Sequence, residues 1–362
     1  MQRRVFLQTA AIAALSGCAG RPARTPGQTH CLPPVRVSSE RIIRTVAGLR
    51  PYRAEGFVVR AESLGDKRLV HNYGHGGAGI TLSWGSANLA TALGLQGHHG
   101  PVAVIGAGIM GLTTARLVQE AGFPVTIYAN ALPPNTTSDV AGGQFHPFGH
   151  YDPTRVTSEW RSQFVAALDF SWRRFQVMVG EDYGIRWLPT FTEASGATEP
   201  HLLATFPPAN RILGKDENPF PFDGVRSYDT LYVETGRFLR EILRDIQIAG
   251  GRIQVTTFRS PADVALLREN LVFNCTGLGA RELFGDSALR PARGQLAILL
   301  PQPEVRYAFT GRAGYMFPRP DGIILGGTFE LDQWDAVAEP ATIARIVASH
   351  QQLFSSLKCA TT

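Results

Sequence analysis

The chain has 362 residues, of which 44% are hydrophobic and 18% charged, a balance that excludes an intrinsically disordered protein or a coiled coil. Its length allows one large domain or two coupled domains. The net charge of +5 is carried by scattered lysines and arginines without a basic run, so we expect no nucleic-acid binding. The 38 glycines, several in tight clusters, indicate close approach of the backbone to a ligand.

Residues 1–20 resemble a bacterial export signal. Arg3-Arg4 opens a twin-arginine pattern, and the apolar stretch 9–17 is too short to span a membrane as a helix. Residues 15–18 (LSGC) resemble a lipobox, so we expect a periplasmic protein that touches the membrane only through a lipid anchor on Cys18. The alternative is a chance run of small residues around Cys18. Residues 21–34, rich in Pro, Arg, Thr and Gly, are a predicted linker.

The remaining cysteines are Cys31, Cys275 and Cys359. They show no C-x-x-C spacing, and no His or Cys cluster has the form of a metal site. We therefore predict no bound metal.

Residues 35–81 are predicted to form short strands and turns, and residues 82–95 a helix of small and apolar residues. Residues 96–100 (QGHHG) break that helix. Within them we interpret His98 and His99 as solvated connector residues rather than ligands.

A β-α-β unit follows. The buried strand pattern 102–105 meets a G-x-G-x-x-G turn at 106–111, then a helix over 112–121 and a strand over 125–128. Glycines at this turn let backbone N–H groups and the helix N-terminus reach a pyrophosphate. The pattern predicts dinucleotide binding, against the alternative of a glycine-rich turn without a ligand. Asn130 stands where an acidic residue would bind a ribose, and it offers a hydrogen bond without charge.

Further elements alternate down the rest of the chain. Helices are predicted over 158–179, 236–248 and 339–354, strands and loops rich in Phe and Pro over 185–235, and strands over 271–277 and 323–329. The strand ending at Gly277 runs into a turn suited to a second approach to the cofactor. The position of the β-α-β unit is unusual, because such units normally open their domain and about sixty-five ordered residues precede this one.

Several motifs together resemble the D-amino-acid oxidase family. GLRPYR at 48–53 and HNYGHGGAGIT at 71–81 are similar to its C-terminal signature, and residues 102–143, ending in TTSDVAGG, to its N-terminal flavin-binding region. NCTG at 274–277, RGQ at 293–295, YMFP at 315–318 and GGTF at 326–329 resemble its middle and late motifs. The likeness covers about residues 36–357.

The order of these motifs differs from the family's order. Joining residue 357 to residue 36 would restore it, so the resemblance implies a circular permutation. It also implies an α/β fold with a Rossmann-like FAD-binding domain and an interleaved antiparallel β-rich substrate domain. The predicted segments are the signal 1–20, the linker 21–34, the permuted segment 35–96, the FAD-binding domain 101–150 and 271–295, the mainly substrate domain 151–270 and 296–330, and the terminal helix and tail 331–362.

The resemblance implies roles for individual residues. Arg50 would pair with the substrate carboxylate, Tyr315 would be its second donor, and the Gly77 carbonyl would face the substrate amine. His71 and His75 are interpreted as hydrogen-bonded loop residues rather than bases, and Arg53 as structural. The predicted FAD-binding residues are Gly106, Ala107, Gly108, Ile109, Met110, Gly111, Asn130, Thr136, Thr137, Ser138, Gly142, Gly143, Gln144, Thr276, Gly76, Gly77, Gly79, Ile80 and Thr81.

The implied reaction is oxidative deamination of a D-amino acid by hydride transfer to flavin N5, with oxygen as the electron acceptor and hydrogen peroxide as a product. Two departures from the family stand out: the active-site lid is shortened between Gln295 and Tyr315, and Gly311 replaces a second tyrosine. The alternatives are a dehydrogenase that passes electrons to a quinone, a glycine, sarcosine or D-aspartate oxidase, and an inactive flavin-fold binding lipoprotein.

The permutation and the export signal together predict a disulfide. The new termini would emerge at one surface point, near Cys31 and Cys359, and an oxidising compartment favours pairing of nearby thiols. The alternative is two unpaired cysteines in flexible tails. Cys275, at a buried strand end, is expected to stay reduced.

Overall fold

The structure, a computed structural model, describes residues 29–147, 149–194, 203 and 205–361. The predicted signal and lipobox lie outside the described residues, as does most of the predicted linker. The strands are β1 Thr29–His30, β2 Ile42–Arg53, β3 Val58–Leu64, β4 Lys67–Tyr73, β5 Val102–Ile105, β6 Val125–Ala129, β7 Ile185–Glu193, β8 Arg211–Ile212, β9 Val225–Val233, β10 Arg252–Val255, β11 Leu271–Asn274, β12 Leu289–Leu299, β13 Ala308–Gly311, β14 Gly314–Arg319, β15 Gly322–Gly326, β16 Glu330–Leu331 and β17 Ala360–Thr361. The α-helices are α1 Gly79–Leu95, α2 Ile109–Glu120, α3 Ser158–Val177, α4 Thr235–Ile248, α5 Pro261–Ala265, α6 Gly279–Phe284 and α7 Pro340–Ser355.

The first sheet has the strand order β10-β6-β5-β11-β4-β3. Its strands from β10 to β4 run parallel, and β3 is antiparallel to β4. All four residues of β5 and of β11 are buried, as expected for central parallel strands covered on both faces. The α1, α2 and α4 helices pack against one another in the core beside this sheet. The β-α-β unit predicted from the sequence is confirmed.

The residues that precede the β-α-β unit complete the same parallel sheet. The β4 strand pairs with β11, which pairs with β5 on its other side, and α1 carries the chain from β4 back to β5. In the same segment β2 belongs to the other sheet, so residues 35–96 supply strands to both sheets. At twelve residues, β2 is longer than the short strands that the sequence predicted.

The second sheet has the order β16-β12-β15-β14-β13-β7-β9-β8, with β2 paired to β12. One face packs against α7 through apolar side chains such as Ile343 and Phe354. The opposite face carries Leu188, Tyr232 and Phe317. The predicted fold class, with a parallel dinucleotide-type sheet and a β-rich antiparallel sheet, is therefore confirmed, while the predicted domain boundaries stay a prediction.

Two helices begin earlier than the sequence predicted. The α1 and α2 helices start at Gly79 and Ile109, three residues before the predicted positions, because each glycine-rich turn leads directly into helical backbone. The strand predicted over 323–329 ends at Gly326 in β15. Gly327 adopts a φ of +149°, which ends the extended segment and turns the GGTF motif out of the sheet.

The two ends of the described chain are joined. Thr29 and His30 pair antiparallel with Thr361 and Ala360, and Cys31 forms a disulfide with Cys359 across a Cα–Cα distance of 4.3 Å. The predicted disulfide is confirmed. The described structure therefore includes residues from Thr29, six positions before Val35, where the sequence predicted order to begin. Cys275 is buried and unpaired, as predicted.

A search of the helices in the described part of the chain found none with the length and apolar character needed to cross a membrane.

Candidate functional site

A cavity of about 1150 Å³ lies between the carboxyl ends of the parallel strands and the open face of the second sheet. Residues at the ends of β5, β6 and β11 line one part of it, and residues of β2, β12 and β14 line another. Ligands of open parallel sheets bind outside the carboxyl ends of the strands, so the position suits a nucleotide cofactor.

The glycine-rich turn between β5 and α2 opens onto the cavity. A Cβ atom at Gly106, which has a φ of +108°, would lie 2.4 Å from the carbonyl oxygen of Cys275, so only glycine fits. Gly108 and Ile109 bring the N-terminus of α2 to the cavity wall, and the Ile109 amide donates to the Ser138 hydroxyl at 3.0 Å. Backbone amides at a helix N-terminus bind phosphate groups.

The segment 136–144 forms the adjoining wall. The Thr136 amide and hydroxyl both donate to Asp139, at 2.9 and 2.7 Å, which fixes the short turn at the start of the segment. Gly143 has a φ of +88°, and a Cβ there would lie 2.0 Å from the carbonyl oxygen of Val233. The segment is thus held closely against β9 with its backbone facing the cavity.

One end of the cavity lies beyond β6 and β10. Asn130 lines it, as the sequence predicted, together with Thr276. Residues 256–259, directly after β10, and Glu282 also line this end, and the sequence analysis missed them. Their signal was the position of residues 256–259 after a strand that joins the parallel sheet, because such strands end at a common edge.

The loop over residues 73–79 lines another part of the cavity. Gly74 and Gly76 have φ values of +84° and +53°, and a Cβ at Gly76 would lie 3.0 Å from the carbonyl oxygen of His150. Gly77 faces Arg50, whose Cδ would lie 3.6 Å from a Cβ at residue 77. The loop therefore presents backbone rather than side chains to the cavity.

The two histidines of this loop differ. His71 contacts Glu62 at 2.9 Å through Nε2, and its Nδ1 accepts a hydrogen bond from the side-chain Nδ2 of Asn274 at 2.9 Å. The prediction that His71 is a hydrogen-bonded residue is confirmed. Burial lowers the pKa of His71, and the bond to Glu62 opposes that shift. For His75 the prediction is wrong: its ring stacks on Phe57 at 4.9 Å, and both buried ring nitrogens lack a hydrogen-bond partner in the described structure.

Buried histidines cluster behind this loop. Burial, and then the neighbouring His150, lowers the pKa of His75 to about 3. Burial and then His146 lower the pKa of His150 to about 3, and burial lowers the pKa of His146 to about 4. All three imidazoles are therefore neutral near pH 7.

Arg50 reaches the cavity from β2. On β12, two residues from Ala292, which lies opposite Arg50, Gly294 leaves open the space that the guanidinium occupies, because a Cβ at residue 294 would lie 2.3 Å from Nη2. Nη1 donates to the carbonyl oxygen of Thr328 at 3.1 Å, and the guanidinium lies 5.9 Å from the centre of the Phe329 ring. The ion pairs of the described residues do not include Arg50, so its charge is available to an anionic ligand.

Tyr315 faces the same cavity from β14. It stacks on Phe317 with ring centroids 4.6 Å apart, and it crosses Gly326, where a Cβ would lie 2.5 Å from the hydroxyl. Glycines at 294 and 326 therefore make room for the two side chains predicted to bind a carboxylate.

A short hairpin completes the wall next to Tyr315. Only Arg312 and Ala313 connect β13 to β14, within the stretch between Gln295 and Tyr315 where the sequence predicted a shortened lid. Gly311 lines the cavity at this hairpin, beside Thr310. The Thr310 hydroxyl donates to the Thr192 hydroxyl at 2.9 Å, and both threonines line the cavity. The sequence analysis did not single out these threonines, since nothing local marks a pairing of residues 118 positions apart.

Most predicted site residues meet at this cavity, and two do not. The exceptions are Gly111 and Thr81. A Cβ at Gly111 would lie 1.9 Å from the Gly106 carbonyl oxygen, so this glycine allows α2 to pack against the turn. The Thr81 hydroxyl accepts from the His146 amide at 2.9 Å and donates to its carbonyl at 3.1 Å, which uses it inside the protein. The predicted residues that line the cavity are Arg50, Gly76, Gly77, Gly79, Ile80, Gly106, Ala107, Gly108, Ile109, Met110, Asn130, Thr136, Thr137, Ser138, Gly142, Gly143, Gln144, Thr276 and Tyr315.

The residues present fit a flavin dinucleotide. The cradle at Gly106 has no room for a Cβ, and the N-terminus of α2 opens toward it. The glycine loop over residues 76–79 lines the same cavity with backbone, which lets a flat ring system approach closely.

Comparisons with known proteins agree with this site. A family model described as DAO, FAD dependent oxidoreductase, matches residues 27–93 and 101–362. A D-amino-acid oxidase of Streptomyces coelicolor is 31% identical over 258 residues, which are 69% of this chain and 76% of that protein. A D-amino acid oxidase of Dugesia ryukyuensis is 28% identical over 264 residues, which are 71% of this chain and 78% of that protein. Among solved structures, the glycine oxidase of Bacillus cereus shares the fold, with a TM-score of 0.53, 16% identity and coverage of 73% of this chain and 81% of that one.

Proposed function

Because the chain belongs to the DAO family of FAD-dependent oxidoreductases, we propose that it is a D-amino-acid oxidase. In the proposed reaction a D-amino acid, oxygen and water give a 2-oxo acid, ammonia and hydrogen peroxide. The observation that carries the proposal is the Arg50 guanidinium, which lies in the cavity beside the glycine loop without a carboxylate partner.

Arg50 and Tyr315 would hold the substrate carboxylate. A guanidinium offers two parallel N–H groups that match the two oxygens of a carboxylate, and a phenol hydroxyl adds a third donor. The Thr328 carbonyl accepts one Arg50 N–H and so fixes the orientation of the guanidinium. Thr328 is itself fixed, because its hydroxyl accepts from the Gln295 amide at 2.7 Å. The carboxylate would therefore meet a preoriented cation.

The residues that would hold FAD are the turn at 106–110, the wall at 136–144 and the loop at 76–80. When bound, FAD would accept the two electrons of the oxidation and pass them to oxygen. The N-terminus of α2 favours the negative pyrophosphate, and Asn130 offers a neutral hydrogen bond at the far end of the cavity.

No protein base is required in this proposal. An amino acid that binds with a neutral amine already carries the lone pair that drives loss of the α-hydrogen, and we propose that the Gly77 carbonyl accepts from this amine. His75 is neutral near pH 7 and too weak a base to take a proton, because burial lowers its pKa to about 3. The second loop histidine, His71, is occupied by Glu62 and Asn274.

A substrate panel tests the proposal. Purified flavin-loaded enzyme is mixed with D- and L-amino acids, glycine, sarcosine and D-aspartate, and peroxide release is measured. We expect peroxide with neutral D-amino acids such as D-alanine and none with their L-enantiomers. Equal rates with both enantiomers would contradict the proposal, and preference for glycine, sarcosine or D-aspartate would identify a different oxidase.

The electron acceptor needs its own measurement. Flavin reduced anaerobically by D-alanine should be reoxidised rapidly by oxygen with one peroxide per turnover. Slow reoxidation by oxygen and fast reoxidation by a quinone would identify a dehydrogenase instead. Purified protein without flavin absorbance would support an inactive binding protein.

We also propose that the chain is a circular permutant of its family. Two facts support this: the family model matches in two blocks that meet between residues 93 and 101, and β1, β17 and a disulfide join the two ends. A gene that joins residue 357 to residue 36 and opens the chain between residues 96 and 101 should give a folded protein that binds flavin. An insoluble or flavin-free product would argue against the permutation.

Export and lipid anchoring remain proposals drawn from residues 1–20. Replacing Arg3 and Arg4 by lysines should retain flavin-loaded protein in the cytoplasm, and replacing Cys18 should release the protein from the membrane. If both variants fractionated as the wild type does, the proposed export signal and lipid anchor would be refuted.

A further inference from the structure

Hydroxyl groups form a row across the cavity-facing side of the second sheet. In the strand register Thr192 of β7 lies opposite Thr310 of β13, which lies opposite Tyr315 of β14, and Tyr315 lies opposite Gly326 of β15. Residues directly opposite one another on neighbouring strands face the same side of a sheet. The two threonines therefore face the cavity beside Tyr315, one and two strands away, at about 4.8 Å per strand.

The threonine pair retains hydrogen-bonding capacity. The Thr310 hydroxyl donates to the Thr192 oxygen at 2.9 Å, and this bond uses one of the two hydroxyl protons. The Thr192 proton and a lone pair on Thr310 remain available to a ligand. The pair can thus donate one hydrogen bond and accept another.

The charges next to the pair are already compensated. Glu193, which follows Thr192, accepts from the Arg312 amide at 3.1 Å and from its Nε at 2.6 Å. An acidic or basic substrate side chain would therefore find no free counter-charge at this position. Gly311 does not crowd the pair, because a Cβ there would point to the opposite face of the sheet, 2.8 Å from the Phe309 ring.

We propose that Thr192 and Thr310 form the subsite for the substrate side chain and select D-amino acids with a hydroxyl or carboxamide group. The inference rests on the proposed function, because it takes the carboxylate to be held by Arg50 and Tyr315. The Tyr315 hydroxyl lies over Gly326 of β15, so a carboxylate bound there is about two strand spacings, or roughly 10 Å, from Thr310 on β13. The length of the substrate and a hydrogen bond of about 2.8 Å at each end together span a distance of that order.

Isosteric substrates test the subsite. D-threonine and D-valine have the same shape, as do D-asparagine and D-leucine, and each pair differs in hydrogen-bonding groups. With the holoenzyme we expect kcat/KM to favour the polar member of each pair by about tenfold, the effect of one hydrogen bond of ordinary net strength. Thr310→Val and Thr192→Val should abolish that preference, measured as the ratio of kcat/KM within each pair.

The controls separate the subsite from general damage. Thr310→Ser keeps the hydroxyl and should keep the preference, and Thr45→Val changes an exposed threonine of β2 and should alter neither ratio. The flavin absorbance of each variant reports whether the fold is intact.

The failures are distinguishable. Turnover of D-amino acids with no preference within either pair, or a preference that survives Thr310→Val and Thr192→Val, overturns the subsite and leaves the proposed function standing. Absence of turnover with every D-amino acid overturns both.

Discussion

At the scale of single residues, the proposed carboxylate site depends on Arg50, which has no ion-pair partner among the described residues. Arg50 extends from β2 across Gly294 and contacts the Thr328 carbonyl, whereas its neighbour on the same strand, Arg53, pairs with Asp286 at 2.8 Å. The motif at 48–53 thus contains one arginine available to a ligand and one with a structural partner, as the sequence suggested for Arg53.

Arg50→Leu should remove substrate recognition and leave the fold intact. Loss of a charge-assisted pair in the cavity should cost about 3 to 5 kcal/mol of transition-state binding, seen as a fall in kcat/KM of about two to four orders of magnitude. The flavin spectrum and Tm should be unchanged. Arg44→Leu, an exposed change on the same strand, is the matched control and should behave as wild type. Near-wild-type kcat/KM in Arg50→Leu would show that Arg50 does not bind substrate.

The buried histidines should make the protein sensitive to acid. The folded pKa values of His75, His146 and His150 lie at about 3 to 4, below the unfolded value of about 6.5, so the unfolded chain binds more protons below pH 6.5. Stability is therefore full above pH 6.5 and falls as the pH drops toward the folded pKa values. Each histidine should lower the free energy of unfolding at pH 5 by about 2 kcal/mol relative to its value at pH 7.5.

The measurement for this expectation is Tm against pH. His150→Leu removes one of the three groups without altering a described hydrogen bond, because both of its ring nitrogens are unpartnered. The variant should lose less Tm between pH 7.5 and pH 5 than wild type does. Parallel curves for the two proteins would show that His150 does not titrate as its burial implies.

At the scale of secondary structure, local patterns predicted the elements better than their partners. The buried strand β5 and the glycine turn after it could be predicted, because each follows from a pattern of about ten consecutive residues. Residues 256–259 and the Thr192–Thr310 pair also line the cavity, but the sequence did not predict this. Their position depends on which strands become neighbours in a sheet. The G-x-G-x-x-G motif also does not distinguish Gly111, which packs against the turn, from Gly106, which lines the cavity.

Two helical glycines should respond differently to substitution. Gly111→Ala places a Cβ 1.9 Å from the Gly106 carbonyl oxygen and must push α2 away from the turn, so we expect lower Tm and weaker flavin binding. Gly236→Ala in α4 meets only the end of the Arg240 side chain at 3.5 Å and should raise stability by up to about 1 kcal/mol through helix propensity. Flavin retention on gel filtration and Tm measure both. If the two variants had the same Tm and the same flavin retention, Gly111 would not have the packing role assigned to it.

At the scale of the whole molecule, the disulfide connects residues separated by 328 positions. The sequence predicted this bridge only through the combination of a family resemblance and an oxidising compartment, since spacing alone does not give connectivity. The resemblance likewise led to the second sheet, whose pairings of β2 with β12 and of β7 with β13 join distant parts of the chain.

Removal of the disulfide should lower stability strongly. The chain-entropy model gives about 6 kcal/mol for a loop of this size, so Cys31→Ser should lower the free energy of unfolding by several kcal/mol while flavin stays bound. Treating wild type with dithiothreitol should have the same effect, and the double variant Cys31→Ser, Cys359→Ser should not respond to dithiothreitol. A Tm that is equal in all these samples would mean that the bridge adds nothing to the native fold.

The bridge between Cys31 and Cys359 also changes what the denatured polypeptide is. Between these residues the oxidised chain is a covalent ring, and a ring stays compact even when every helix and strand has melted. A single protease cut within it would open the ring without separating any fragment, so the cut protein would migrate more slowly than the intact one on a non-reducing denaturing gel. Only reductant would then release two pieces. In a compartment with proteases, the molecule can survive one cleavage as a single connected polypeptide.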